Sequence, residues 1–329
     1  MTVADASAID LAPLDRTTDP SPGTYQQVGD FRLFVRRTGA DDGARPGGTA
    51  VYVHGLGGSS LNWTDLGQIL DPVVAGHVID LPGFGYSDPP SGGDYSLRTQ
   101  MRAVIGYLEH VQARPGGAVG GVHLIGNSLG GVVCARVAQE RPDLVRTLTL
   151  ISPAYPDMRP RLRRLSFLPL GLAKIPTAGP AAFRYLGSRR PELQVMQTLR
   201  EIMVTPERLG AVRIRQAVEH AVDRSAMAWA ADALASSFAT LVASWAWNGG
   251  RDHWSRARRI GVPALVLWGS QDLLVSAEIA PKVVRMIPGA RLVMFSDAGH
   301  VSQMEMPEET AHEICRHIGI RLRGKVPDL

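Results

Sequence analysis

The chain has 329 residues, 45% of them hydrophobic and 20% charged, with a net charge of +4. Those proportions exclude a disordered or low-complexity polypeptide and fit one large α/β domain with an insertion, or two small domains. Two cysteines far apart in sequence, Cys134 and Cys315, give no basis for a disulfide framework or a metal site, and no apolar run has the length needed to cross a bilayer.

Residues 1–23 lack the basic and apolar regions of a secretory leader, and their Asp, Thr, Ser and Pro content reads as a flexible arm; a cytoplasmic protein is expected. Phe31 to Arg37 alternates apolar and basic residues and predicts a strand. A turn rich in Gly and Pro leads to a second strand, Thr49 to Val53, and then to His54-Gly55-Leu56-Gly57-Gly58. Glycines placed after a strand let backbone N–H groups face a ligand, and the Leu56 amide is positioned to receive an oxyanion. Ser60 to Leu70 predicts a short helix containing Trp63. Ala75 to Ile79 predicts a strand, followed by Asp80-Leu81-Pro82-Gly83-Phe84-Gly85-Tyr86-Ser87, a tight loop in which Asp80 is expected to bond loop amides. Tyr95 to Gln112 has helical periodicity and stops before Arg114-Pro115-Gly116-Gly117.

The next stretch organises the chain. Val122 to Ile125 reads as a buried strand, Gly126-Asn127-Ser128-Leu129-Gly130 as a turn, and Val132 to Ala138 as a helix. A strand that becomes a helix across one serine has little room at the corner, which Gly126 and Gly130 relieve. The pattern is that of a nucleophile elbow, which lifts the Ser128 hydroxyl above the sheet edge and aims the Leu129 amide at any oxyanion formed there. Taken alone, the pentapeptide also fits a serine N-cap on an ordinary βα turn.

Val145 to Ile151 predicts one more strand. From Pro153 to Gly250 the βα rhythm lapses: prolines punctuate helical stretches (Glu192 to Val204, Pro206 to Asp223), and Trp229, Phe238, Trp245 and Trp247 gather near the end. This predicts a helical insertion roofing a pocket. It has 13 Lys or Arg against 7 Asp or Glu, a balance of +6, densest from Arg159 to Arg164. Such a cluster suits anionic substrates or a transient meeting with a membrane surface; no nucleic-acid-binding motif accompanies it. Strands then resume at Val262 to Trp268, followed by Gly269-Ser270-Gln271-Asp272 and a helix from Ser276 to Met286. Arg291 to Phe295 is the last strand, with Ser296-Asp297-Ala298-Gly299-His300 after it and a closing helix from Glu308 to Leu322. Strands alternating with helices predict an α/β fold with a mostly parallel central sheet, at whose carboxyl edge these loops converge.

Taken in order, His54-Gly55-Leu56-Gly57, the Asp80 to Ser87 loop, Gly126-Asn127-Ser128-Leu129-Gly130-Gly131, Gly269-Ser270-Gln271-Asp272, Gly299-His300 and Glu305-Met306-Pro307 resemble the α/β-hydrolase family of the lid-bearing serine type. The resemblance covers about Phe31 to Leu322. It implies a core of residues 24–152 and 251–329 with a lid at 153–250, and a triad of Ser128, Asp272 and His300 in the family's chain order. Asp297, three residues before His300, is the competing acid. The implied oxyanion donors are Leu56 and Leu129, and the implied pocket residues are Asn127, Trp63, Trp245, Trp247 and Val301. No metal or cofactor is expected. The leading reading is cleavage of a small or lipid-like carboxylic ester through an acyl-Ser128 intermediate. The alternatives are a carbon–carbon bond hydrolase of the meta-cleavage-product type, which Asn127 resembles and Val301 departs from, and a non-catalytic small-molecule receptor.

Overall fold

The structure, a computed structural model, describes residues 8–39, 44–114, 117–157 and 190–323. Its centre is an eight-stranded sheet in the order β1-β2-β4-β3-β5-β6-β7-β8. The strands are β1 Gly23–Val28, β2 Phe31–Arg37, β3 Thr49–Val53, β4 Ala75–Ile79, β5 Val122–Asn127, β6 Val145–Ile151, β7 Ala264–Gly269 and β8 Arg291–Phe295. β2 runs antiparallel to both neighbours, whereas every pair from β4 across to β8 is parallel.

Side-chain alternation divides the core between the two faces of this sheet. On β3, Val51 and Val53 join one apolar cluster while Ala50 and Tyr52 join the other. The first face is covered by α2 (Leu97–Ala113), α3 (Leu129–Glu140) and α8 (Ala280–Met286), the second by α1 (Thr64–Leu70) and α10 (Pro307–His317). Covering on both faces explains why β5 and β7 are buried at every residue, β7 as a continuous apolar run and β5 with His123 and Asn127 among its apolar residues. Between β6 and β7 lie α4 (Pro191–Ile202), α5 (Gly210–Ser225), α6 (Ala230–Ala246) and α7 (Arg251–Ala257); α9 (Ser302–Glu305) follows the last strand.

The sheet is as expected, and three local readings are corrected. β1 is an edge strand whose Gly-Thr-Tyr-Gln-Gln-Val sequence has too little apolar alternation to stand out; pairing with β2 makes it a strand. The closing helix stops at His317, because Gly319 takes a φ of +80° that ends the helical path. Residues 8–23 are docked, not a free arm. Ile9, Leu11 and Leu14 pack on the second cluster, and the Ile9 amide donates to the Arg321 carbonyl at 2.9 Å. Arg16, at 3.1 Å, and Arg213 of α5, at 2.7 Å, share the buried carboxylate of Asp65. Three apolar side chains among Asp, Thr and Pro escaped a reading based on average composition. Among the described residues no single helix is long and apolar enough to cross a membrane.

Candidate active site

Ser128 sits where β5 ends and α3 begins, with φ +55° and ψ −118°. That conformation is costly for a residue with a Cβ, on the order of 1–3 kcal/mol, and the surroundings enforce it. The Ser128 amide donates to the Ile151 carbonyl at the end of β6 (3.0 Å), and its carbonyl accepts from Val132 (3.2 Å) and Ala154 (3.0 Å). The glycines on either side are required by space. A Cβ on Gly126 would lie 2.6 Å from the Cys134 sulfur and the Gly130 carbonyl oxygen, and one on Gly130 2.4 Å from the Val53 and His54 carbonyls.

The loop after β3 runs against this corner, since a Cβ at Gly55 would stand 3.0 Å from that of Ser128. His54 fixes the loop. Its Nε2 must accept the Leu81 N–H (3.0 Å), so Nδ1 carries the proton and donates to the Gly55 carbonyl (2.7 Å). Burial in an apolar setting pushes this imidazole down to about 4 and keeps it neutral. Among the described residues the amides of Leu56 and Leu129 donate to no protein group; Leu129 follows Ser128 in the chain, and Leu56 follows Gly55, which stands against Ser128.

Asp272, in the turn after β7, directs one carboxylate oxygen to the amides of Leu274 (2.9 Å) and Val275 (3.0 Å) and the other to His300 Nδ1 (2.8 Å). The pair is buried. A proton on Nδ1 shared with the carboxylate leaves Nε2 as the basic nitrogen. Asp297 is turned away: it pairs with Arg208, which also donates to the Asp297 carbonyl at 3.0 Å. The structure thus puts Asp272, and not Asp297, on the His300 ring.

His300 meets the elbow through Asn127, whose Nδ2 donates to the His300 carbonyl (3.0 Å) and to that of Ile151 (3.1 Å). The side chain before Ser128 therefore ties β5, β6 and the His300 loop together, with its amide used on backbone; this replaces the expected pocket role for Asn127. No direct hydrogen bond joins the Ser128 hydroxyl to the imidazole, a contact that commonly forms only once substrate is bound.

Residues 51–307 match the profile of the alpha/beta hydrolase fold. The chain belongs to the α/β-hydrolase family. It is 26% identical to the 2-hydroxy-6-oxononadienedioate/2-hydroxy-6-oxononatrienedioate hydrolase of Cupriavidus pinatubonensis, over 84% of this chain and 86% of that one. To Lipase 1 of Psychrobacter immobilis it is 26% identical, over 83% and 77% respectively. The dihydrolipoyllysine-residue acetyltransferase component of the acetoin cleaving system of Cupriavidus necator is 27% identical over 84% of this chain, which spans 66% of that protein. Among solved structures, a 2-hydroxy-6-oxo-6-phenylhexa-2,4-dienoate hydrolase from Rhodococcus superposes with a TM-score of 0.72 at 18% identity, covering 91% of this chain and 98% of its own. A bacterial membrane phospholipase A gives a TM-score of 0.69 at 23% identity, covering 91% and 86%.

Against this α/β-hydrolase frame the expected pocket residues are redistributed. Trp63 is fully buried in the second core cluster, 5.3 Å from the Tyr52 ring, and is a packing residue. Trp245 is half-buried against the first cluster, its indole N–H donating to the Ala154 carbonyl (3.1 Å). Val301 is buried among Leu199, Met203, Leu209 and Met304, joining the His300 loop to α4. The side chain of Trp247, and Arg159 to Arg164, lie outside the described residues. Among the described residues no group of His, Cys, Asp or Glu is arranged to hold a metal ion.

Asp80 bonds loop amides as expected, and sequence reasoning missed only the clamp that α5 adds to this loop. Asp80 accepts from the amides of Ser60 (2.5 Å) and Tyr86 (2.9 Å), and burial pushes its carboxyl up to about 6. From α5, Arg224 donates to the carbonyls of Gly83 (2.8 Å) and Gly85 (3.1 Å), and Asp223 accepts the Tyr86 hydroxyl (2.7 Å). No local pattern marks residues almost 140 positions apart in the chain as partners.

Proposed function

We propose that this α/β-hydrolase is a serine hydrolase that cleaves carboxylic esters through an acyl-Ser128 intermediate. The observation that carries the reading is the buried His300–Asp272 pair, tied by Asn127 to the strained corner at Ser128. Nε2 of His300 takes the Ser128 proton as Oγ attacks the ester carbon. The oxyanion is received by the Leu56 and Leu129 amides, each such donor worth roughly 3–4 kcal/mol of barrier. His300 then protonates the departing alkoxide; a water that gives its proton to His300 attacks the acyl carbon, and as the acyl–Oγ bond breaks His300 returns that proton to Ser128 and the acid is released. Asp272 holds the ring's tautomer and stabilises the imidazolium throughout.

Residues 153–250 form the lid in this reading. Leu234 of α6 lies over the oxyanion loop, 3.4 Å from where a Cβ on Gly57 would be, and Ala233 lies over Gly83. Apolar side chains from α6 suit an acyl chain, and the +6 balance of the segment suits substrates with anionic head groups or an anionic lipid surface.

A fluorophosphonate probe followed by peptide mapping tests the nucleophile, and release of p-nitrophenol from C2 to C12 acyl esters tests the substrate class. Wild-type protein is expected to label at Ser128 and to turn over at least one ester, with Ser128→Ala lowering that rate by about a thousandfold or more. Labelling elsewhere, or no turnover across the series, would overturn the reading. Likeness to the Cupriavidus pinatubonensis hydrolase supports carbon–carbon cleavage as a second reading. Loss of absorbance from a vinylogous diketo acid, in place of ester turnover, would select it.

A further inference from the structure

The segment between β6 and β7 does more than cover the sheet edge: it is joined to the loop that carries His300. The last turn of α4 delivers the Ile202 carbonyl to the His300 amide at 2.7 Å. Only glycine fits at the neighbouring position, where a Cβ on Gly299 would stand 2.5 Å from that carbonyl. Below this contact lies Glu305, a carboxylate with 2% of its surface exposed. Its Oε2 accepts the Gly299 N–H at 2.8 Å, and its Oε1 accepts the Thr205 N–H at 2.7 Å. One buried carboxylate thus spans the residue before His300 and a residue of the intervening segment, and Met304, next to it in the chain, belongs to the apolar cluster of Val301, Leu199, Met203 and Leu209.

A carboxylate removed from water is retained at a cost unless both oxygens find donors, and here both donors are backbone amides from two separate parts of the chain. Neither amide has another partner among the described residues. The covering segment and the general-base loop are therefore held in one register by a single side chain. We infer that Glu305 is a positioning residue: through Gly299 and Thr205 it couples the segment over the site to the placement of His300. This rests on the assignment of His300 as the base, and the test keeps the two apart.

Glu305→Gln retains shape but offers one acceptor oxygen, with an NH2 group facing the second N–H, so the bridge must break on one side. Glu305→Ala removes both bonds. Glu313→Gln is the control: Glu313 is equally buried on α10 but bonds Arg291 (2.5 Å), not the His300 loop. The bridge itself is read by amide hydrogen exchange, which requires no turnover. Exchange at Thr205 and at Gly299–His300 is expected to rise together in Glu305→Ala and to stay at the wild-type level in Glu313→Gln. Ester turnover reads the consequence: kcat is expected to fall about 10- to 100-fold in both Glu305 variants while KM changes less than about threefold, the mark of a displaced base and not of lost binding. Unchanged exchange at either segment overturns the inference, and so does raised exchange with wild-type kcat. A loss of kcat in Glu313→Gln equal to that in Glu305→Gln also overturns it, since general destabilisation would then account for both. If wild-type protein fails to label at Ser128, the ester reading falls, and the exchange experiment alone decides the coupling.

Discussion

At Ser128 the polypeptide accepts a backbone conformation that a side chain resists, and this sets a stability trade-off at one atom. The angles +55° and −118° mirror an ordinary extended conformation, so they suit glycine without strain. Ser128→Gly is therefore expected to be more stable than Ser128→Ala by about 1 kcal/mol in urea unfolding, although both remove the proposed nucleophile. Equal stability would show that the corner is not strained. Gly130→Ala is expected to act in the opposite sense, losing about 1–3 kcal/mol or more because the added methyl meets the Val53 and His54 carbonyls at 2.4 Å. The residue scale is where the sequence is most informative. Gly126, Ser128 and Gly130 announce a crowded corner because their spacing is local, whereas Asp272 is preferred to Asp297, which also follows a strand, only through the motif order of the resembled family. Asn127 was visible yet misassigned, because its partners, the Ile151 and His300 carbonyls, are 24 and 173 positions away.

Among the elements, α5 holds the Asp80–Ser87 loop and α4 the loop of His300, the proposed base, so the segment between β6 and β7 grips both loops. Arg224 is the clearest grip, donating to two carbonyls of a loop whose own anchor, Asp80, reaches back to Ser60 and Tyr86. Arg224→Ala is expected to cost about 1.5–3 kcal/mol, since two charge-assisted bonds are lost and two carbonyls are left to find water. It is also expected to raise KM more than it lowers kcat, because the loop it frees lies at the rim and not at the Ser128–His300 corner. A fall in kcat at constant KM would place the loop in the catalytic machinery instead. Element identity was legible wherever apolar periodicity was strong, as in β3, β5, β7 and α2. It faded where tertiary pairing does the work, as in β1, and how α4 and α5 dock was not legible at all. Docking rests on Glu305, Arg208, Arg213 and Arg224 reaching across long sequence separations, and a lone charged residue in a helix has no pattern that distinguishes such a reach from solvation.

Over the whole molecule, buried imidazoles set the response to acid. His54, His77, His123 and His253 are all buried, and loss of hydration pushes each down to about 4. They are kept as neutral hydrogen-bonding groups: His77 Nδ1 meets the Tyr107 hydroxyl at 2.7 Å, His123 the Thr147 hydroxyl at 2.8 Å and the Gly47 carbonyl at 2.7 Å, and His253 the Ser244 hydroxyl at 2.9 Å. Between about pH 6.5, where an unfolded histidine takes up its proton, and pH 4, the unfolded chain binds more protons than the folded one at each of these sites. Stability is therefore fully present above pH 6.5 and declines as pH falls, by up to about 1.4 kcal/mol per unit for each ring. Asp80 works in the opposite direction. Its carboxyl, raised from 3.8 to about 6, is protonated in the fold before it is in the unfolded chain, so acidification across that window favours the native state by up to a similar amount. These four rings, joined by His220, which burial also pushes down to about 4, outweigh one carboxyl and leave a net loss. The urea midpoint is expected to drop steadily from pH 7 to pH 5, and Asp80→Asn to steepen that drop by removing the opposing proton uptake. A midpoint that holds or rises on acidification would show that these rings already carry protons in the native protein, and the neutral His54 that fixes the loop after β3 would have to be abandoned with them.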